Sequence, residues 1–377
     1  LQQGGANFAA TPTTMGQLGQ LDRHRLARLR VRYATVADLS SFDEIVDVRT
    51  PAEYELDHIP GAINAPVLSN AERVVIGTLY RTDPFGATRL GGALVAANIA
   101  GHLQTTFAAK PSNWRPVIYC WRGGKRSGSM STWFNLIGWR AQPLAGGYKN
   151  YRRWVIEQLT ASPVAFDWVV LHGLTGCGKT RLLQALAGAG AQILDLEALA
   201  RHRGSLLGGF SDQPQPSQKA FDTALVATLA HFTRDQPVFV EAESRMIGSL
   251  RLPVAICNAI EAGTSVNVEA SRDSRIAYLC HEYQHLFEDP AFFKAQLDRL
   301  LVLHGRAVIK RWHELIDAGD SATLYAELID RHYDPAYRRG QRAKGTSAVT
   351  INLDPSGDLK VSANNLLRSD WLKQLQR

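Results

Sequence analysis

Phe166-Asp167-Trp168-Val169-Val170-Leu171-His172 runs without a break into Gly173-Leu174-Thr175-Gly176-Cys177-Gly178-Lys179-Thr180. The first seven residues read as a strand, rich in β-branched and aromatic side chains. The next eight complete the pattern G-x-x-x-x-G-K-[ST], and Thr180 to Ala187 read as a helix. Strand, glycine loop and helix in that order place the loop beyond the carboxyl end of a parallel strand, with helix N-terminal N–H groups facing outward. The pattern predicts that Gly173, Thr175, Gly176, Cys177, Gly178, Lys179 and Thr180 form a diphosphate site. Lys179 is expected on the outer oxygens and Thr180 on a Mg²⁺ ion, whereas Cys177 is read as packing. Such a loop reads phosphates and does not by itself specify a base.

Working outward, Ala191 to Leu194 and Pro237 to Val240 read as two further strands. They end at Asp195 and Glu241, carboxylates placed to hold Mg²⁺ or to take a proton, with Glu241 the better candidate for the metal. Arg272 and Arg275 are candidates for closing over the phosphates. Ile276 to Arg339 is mostly helical in pattern, and 347–353 with 359–363 read as a β-hairpin around Asp354-Pro355-Ser356-Gly357-Asp358. Upstream, Glu44 to Arg49 and Pro116 to Cys120 are apolar runs of strand type, and Ser127 to Leu136 reads as a helix. The stretch 68–110 is a helical insertion. The fold class is therefore α/β: residues 31–150 form one parallel-sheet domain, 151–165 a helical connector, and 166–275 a phosphate-loop domain. Residues 276–377 form a helical region with the hairpin and a candidate polyanion-binding surface, and 1–30 a polar, flexible tail.

The second chemical feature is Cys120-Trp121-Arg122-Gly123-Gly124-Lys125-Arg126-Ser127. A cysteine at a strand end, followed by glycines, can collect several backbone N–H groups into an oxyanion nest. The helix N-terminus and Arg122, Lys125 and Arg126 would all favour the thiolate. Such a sulfur accepts a chalcogen atom or a phosphoryl group. Arg126 follows Cys120 by six positions, giving C-x5-R, a spacing shared with cysteine-dependent phosphatases. This wider loop suits a tetrahedral, phosphate-sized donor.

The 377 residues exceed one ordinary core, and 45% hydrophobic with 20% charged residues is the composition of a globular protein. No stretch reaches the ~20 apolar residues of a spanning helix. Four cysteines without metal-ligand spacing argue against a disulfide framework or structural zinc, and predict a cytoplasmic protein with no membrane partner. A net charge of +7 suits a polyanionic partner. Lys149, Arg152, Arg338, Arg339 and Arg342 are candidates for tracking a nucleic-acid backbone, the last three in a cluster with Arg331, His332 and Lys344 that includes Tyr333 and Tyr337.

Ile45-Val46-Asp47-Val48-Arg49-Thr50-Pro51-Ala52-Glu53-Tyr54, His58-Ile59-Pro60-Gly61-Ala62-Ile63-Asn64 and Leu144-Ala145-Gly146-Gly147-Tyr148 resemble the motifs of the rhodanese family. That resemblance implies that Cys120 carries a persulfide or perselenide, that Asp47 and Arg49 brace its loop, and that His58 supports the fold. A wider likeness covers Thr35 to Arg339. It rests on the order of the two domains and on Asp195 to Ser205, Gln215 to Phe221, Glu241 to Gly248 and His332-Tyr333-Asp334-Pro335-Ala336-Tyr337. These strings resemble the tRNA 2-selenouridine synthase family. The resemblance implies a tRNA carrying wobble 2-thiouridine as substrate, with geranyl diphosphate and selenophosphate as co-substrates. A selenophosphate-producing enzyme is an expected partner, and no haem or flavin is expected. Lys179 and Cys120 would be the catalytic pair; Leu206, Leu207 and Phe210 are placed to line a slot for the geranyl chain, although core packing is the more ordinary role for each. The rival readings are an ATP-dependent tRNA sulfurtransferase using a Cys120 persulfide, a cysteine phosphatase fused to a kinase-like domain, and a tRNA-binding scaffold.

Overall fold

The computed structural model describes residues 32–204, 207–208, 213–341 and 349–375, without the side chains of 339–341 and 373–375. The expected tail, Leu206, Phe210 and Arg342, and the side chain of Arg339 therefore lie outside the described residues. The chain divides into two compact units, at Arg152/Arg153.

The first unit is built on four parallel strands in the order β2-β1-β3-β4: β1 (Glu44–Asp47), β2 (Ile63–Asn64), β3 (Pro116–Tyr119) and β4 (Gln142–Pro143). Helix α1 (Pro51–Leu56) starts in a capping box: the Thr50 side chain accepts from Glu53 N, and Glu53 reaches back to Thr50 N. The insertion is helical as its sequence predicts, in α2 (Asn70–Leu79) and α3 (Pro84–Gln104). Helix α4 (Lys125–Ile137) opens directly after the cysteine loop. Phe107, Trp114, Phe134 and Trp139 meet edge-on or tilted with ring centroids 5.0–5.6 Å apart, an aromatic centre for this core. Helix α5 (Gly147–Ala161) carries the chain out of the unit.

The second unit holds a five-stranded parallel sheet, ordered β11-β10-β5-β7-β6. Its strands are β5 (Trp168–His172), β6 (Gln192–Leu194), β7 (Val238–Glu241), β10 (Thr264–Glu269) and β11 (Val349–Asn352). A small antiparallel pair, β8 (Met246–Ile247) and β9 (Leu250–Arg251), stands apart from it. The helices are α6 (Lys179–Gly188), α7 (Leu196–Ala200), α8 (Gln218–Leu229), α9 (Val254–Ala262) and α10 (Arg272–Glu282), followed by a helical run from Pro290 to Gln341. Within that run the helix widens to a π-turn at Ile329–Tyr333 and continues as a helix over Asp334–Gln341. No helix among the described residues is long and apolar enough to cross a membrane.

One expectation fails. Of the hairpin expected over 347–353 and 359–363, the described residues 349–353 do not pair with 359–363. β11 joins the sheet in parallel beside β10, and Lys360–Arg368 is a helix, α11. Alternation in Leu359-Lys360-Val361-Ser362-Ala363 suggests a strand, but Leu359, Ala363 and Leu366 also lie at helical spacing. Their burial with Leu182, Leu183 and Leu186 of α6 decides for the helix. The C-terminal segment thus completes the phosphate-loop core.

Candidate active sites: two anion loops

Cys120 ends β3 and is 4% exposed. Its Sγ lies 3.3 Å from Ser127 Oγ and accepts from Gly124 N at 3.3 Å. Burial alone would raise the thiol. The hydrogen bonds from the Ser127 hydroxyl and from backbone N–H groups of Ser127 and Gly124, with the charge of Arg126, outweigh it and hold the thiol below the ordinary cysteine range. Arg126 itself is held by Glu53 (Nη1–Oε2 2.8 Å), so the capping glutamate of α1 also fixes the loop's cation. Arg122 and Lys125 are exposed, whereas Trp121 packs beside Tyr148 with ring centroids 5.3 Å apart.

The loop is pressed against the Leu144–Tyr148 turn. Tyr148 N donates to Cys120 O (2.9 Å), and Lys149 N to Trp121 O (2.9 Å). A Cβ on Gly147 (φ +56°) would come within 2.3 Å of Cys120 O, and one on Gly123 (φ +65°) within 2.6 Å of Leu144 O. Asp47 and Arg49 lie under this turn, both nearly fully buried, with Nη2–Oδ2 at 2.6 Å. The Arg49 guanidinium stacks 4.0 Å from the Tyr148 ring centroid, and Tyr148 Oη donates to Asp57 Oδ2 (2.7 Å). His58 stacks on Tyr54 (3.8 Å) and bonds its carbonyl oxygen through Nδ1 (2.9 Å), away from the thiol's polar contacts.

In the second unit the loop Gly173–Lys179 joins β5 to α6 with Gly176 and Gly178 at φ +83° and +87°. Lys179 Nζ donates to Gly173 O (2.8 Å). A cavity of about 900 Å³ opens on the loop. It is lined by Gly173, Thr175, Gly176, Gly178, Lys179 and Thr180, by Asp195, Glu197, Glu241 and Glu243, by Arg181, Arg201 and Arg203, and by an aromatic wall of Tyr278, Tyr283, His332, Tyr333 and Tyr337. Cys177 is buried in the core beneath, as read.

Glu241 is buried, its Oε1 has no hydrogen-bond partner, and its carboxylate is bonded to the Thr180 side chain. Burial and mutual repulsion push Glu197, Glu241 and Glu243 above the usual carboxylate range. Burial would lower the Lys179 ammonium, but Cys177, Glu241, Tyr337 and Glu243 nearby raise it. Gly204 (φ +64°) permits this crowding, since a Cβ there would lie 2.8 Å from Glu197 Oε1 and 2.9 Å from Glu243 Oε2. Asp195 uses one oxygen to cap α7 through Ala198 N (2.9 Å). Among the described residues no group of three or more His, Cys, Asp or Glu is arranged to hold a metal ion.

The two arginines expected over the phosphates do not line this cavity. Arg275 is buried, donates through Nε to Thr175 O (2.8 Å) and pairs with Asp334 (2.6 Å), bracing the loop from behind. Arg272 pairs with Asp330 (2.7 Å) at the surface. Nothing in the local sequence fixes their direction: Arg272 opens α10 and Arg275 follows three residues later. Sequence reading also missed Tyr337, whose Oη accepts from Gly173 N at 2.6 Å, and the aromatic wall. The sequence places Tyr333 and Tyr337 only among the basic residues expected to meet nucleic acid, not at the phosphate loop. Glu197 and Glu243 were visible as strand-end carboxylates beside Asp195 and Glu241. Leu207 packs among Leu279, Tyr283 and Leu286 rather than lining the cavity. Arg338 and Lys149 are exposed, and Arg152 is half-buried.

With this geometry in place, the chain can be compared with known proteins. Residues 33–153 match the profile of the rhodanese-like domain, and residues 166–298 that of the tRNA 2-selenouridine synthase AAA domain. The chain is thus a rhodanese-like domain followed by a phosphate-loop domain. Proteins called tRNA 2-selenouridine synthase from Nitrosomonas europaea and Nitrosomonas eutropha are each 34% identical over 244 residues, 63% of this chain. The matched region spans 63% and 62% of those relatives' lengths. A crystal structure of the N-terminal domain of a protein described as ATP/GTP-binding, from Clostridium difficile 630, is 36% identical over 33% of this chain and 98% of that one, with a TM-score of 0.30. Its second domain thus carries the profile of the tRNA 2-selenouridine synthase AAA domain, and the chain is similar to proteins of that name.

Proposed function

We propose that the chain is a tRNA-modifying transferase that converts wobble 2-thiouridine to 2-selenouridine. The base sulfur is first alkylated from geranyl diphosphate, and selenium then enters from selenophosphate through Cys120. The relatives' name supports the overall conversion. The observation that carries the two-step division is one chain holding a thiol kept below its ordinary range and, on a separate unit, a phosphate loop opening on an aromatic-walled cavity.

In the first step the base sulfur attacks C1 of the geranyl group, and the C–O bond breaks with its electron pair on the diphosphate. The base loses its N3 proton. Lys179 and the N–H groups of residues 175–179 neutralise charge as it develops on the leaving group. Tyr333, Tyr337 and Leu279 offer the hydrocarbon an apolar and π-rich wall. The residues present fit Mg²⁺: Thr180 and the unpaired Glu241 oxygen would hold it, the remaining ligands being phosphate oxygens and water, as is usual for this ion. Bound there, the ion would add positive charge beside the departing diphosphate. The alkylated sulfur is then displaced from the base as a thiol, which leaves far more readily than the original thiocarbonyl sulfur.

Nucleoside mass spectrometry of 2-thiouridine tRNA, incubated with both donors and Mg²⁺, tests the scheme. Lys179→Ala should lower geranylation at least about a hundredfold. Cys120→Ala should accumulate geranylated tRNA without selenium. Turnover that requires ATP and ignores geranyl diphosphate would overturn the proposal in favour of the ATP-dependent sulfurtransferase.

A further inference from the structure

We infer that Cys120 attacks the phosphorus of selenophosphate, not its selenium, so that the enzyme-bound intermediate is S-phosphocysteine. This rests on the reading of selenophosphate as donor and specifies what Cys120 does with it.

Electron counting motivates the choice. Selenium in selenophosphate is fully reduced, and it is equally reduced in the selenocarbonyl of the product. A Cys120 perselenide would be formed with phosphorus departing at the phosphite level. Releasing its selenium to the base would then break an S–Se bond, which needs a two-electron reductant. Attack at phosphorus needs neither change. Cys120 Sγ forms the S–P bond, the P–Se bond breaks, and its electron pair leaves with selenium as hydrogen selenide. The selenide adds to C2 of the alkylated base and expels the geranyl thiol. Water then cleaves the S–P bond, returning the thiol and inorganic phosphate.

The loop is built for that course. Arg126 and Ser127 follow Cys120 at the spacing C-x5-R-S, so five residues wrap the space in front of the sulfur. The backbone N–H of Gly124 donates to the sulfur at 3.3 Å and that of Ser127 also bonds it, and such groups would meet the oxygens of a tetrahedral group carried there. Ser127 Oγ, buried and 3.3 Å from Sγ, is positioned to support the thiolate both before attack and when it leaves phosphorus. Glu53 fixes the Arg126 guanidinium at the rim, so the phosphoryl group meets a held cation.

The test uses the full chain with selenophosphate and no tRNA, quenched within seconds, and mass spectrometry of the Cys120 peptide. Phosphoryl and selenium adducts are almost isobaric, so the broad selenium isotope envelope distinguishes them. The expected result is an adduct without that envelope, absent from Cys120→Ala and from wild type given inorganic phosphate. Ser127→Ala should prolong its lifetime about tenfold, because the departing thiolate has lost a hydrogen bond. A selenium envelope on Cys120, with phosphite in solution, overturns the inference. So does selenium reaching tRNA when neither wild type nor Ser127→Ala carries phosphorus. If no selenium reaches tRNA from selenophosphate under any condition, the donor assignment itself falls.

Discussion

Around Cys120 the supports lie close by or within recognisable motifs. The turn that presses on the loop begins some twenty residues later, and Glu53, the partner of Arg126, already belongs to a helix-capping pattern. Around Lys179 the supports come from far along the chain. Arg275 reaches the loop carbonyl across 100 residues, Tyr337 reaches Gly173 across 164, and Arg181 bonds Pro355 O across 174. The first loop is braced from motifs of its own domain, including Glu53, 73 residues from Arg126. The second is assembled only once the C-terminal third has docked, so its geometry is open to influence from that segment.

The largest expected difference concerns the two buried ion pairs. In Asp47→Ala the Arg49 guanidinium, 1% exposed, loses the carboxylate it is bonded to, although it keeps Asp57 O and the Tyr148 ring. Breaking such a pair costs about 3–5 kcal/mol. Asp334→Ala should cost about 2 kcal/mol, because Asp334 is already 13% exposed and Arg275 retains Thr175 O. Urea unfolding of each variant measures both. Equal losses would show that the distant brace is as integral as the local one, and would break the contrast.

Tyr337→Phe probes the same brace more gently. Gly173 N loses its acceptor, at a cost of about 1 kcal/mol, and pyrophosphate should bind several-fold more weakly because the loop is less well held. Calorimetric titration with pyrophosphate and Mg²⁺ reads this directly. Unchanged affinity would mean that the glycine loop holds its shape without the C-terminal helix.

This asymmetry explains what could be read from sequence. Both loops, all the strands that carry them and the helical insertion were legible, because glycine patterns and apolar periodicity are local. Asp47 and Arg49 pair beneath the Leu144–Tyr148 turn, and His58 stacks on Tyr54. Arg275 was misdirected because an arginine's partner is decided by tertiary approach: Asp334 and the rear of the loop reach it first. β10 went unnoticed, since Thr264-Ser265-Val266-Asn267-Val268-Glu269 is half polar and gains strand character only between β5 and β11. The supposed hairpin failed for the complementary reason, a short stretch fitting two periods until packing on α6 chose one.

The cysteines sharpen the comparison by pH. Burial is the largest influence on both Cys120 and Cys257 and pushes each upward, but only at Cys120 do hydrogen bonds and Arg126 reverse the sign. Alkylation by iodoacetamide follows the thiolate fraction. Cys120 should therefore react with a midpoint below the ordinary thiol range, and Cys257 with one above it. Ser127→Ala should move the Cys120 midpoint upward, by an amount that peptide mapping across pH 5–10 would resolve. A midpoint unmoved by that substitution would leave backbone N–H groups and Arg126 as the sole source of the shift.

The smallest effect is expected at the exposed rim. Arg338 lies on the same helix as Tyr337, which touches the phosphate loop, so a tRNA phosphate bound there would sit one residue from the brace. Replacing one phosphate-contacting arginine removes about one released counterion. The slope of log K against log salt should thus fall by about 0.7–0.9 for Arg338→Ala, with weaker tRNA binding that is uniform across sequences. The comparison between regions adds a second requirement. If the C-terminal helix transmits RNA binding to the loop, tRNA should tighten pyrophosphate binding in wild type and do so less in Arg338→Ala, while thiol reactivity at Cys120 stays unchanged. Equal coupling in both proteins would confine Arg338 to electrostatic attraction, and the distant bracing of the phosphate loop would then serve stability alone.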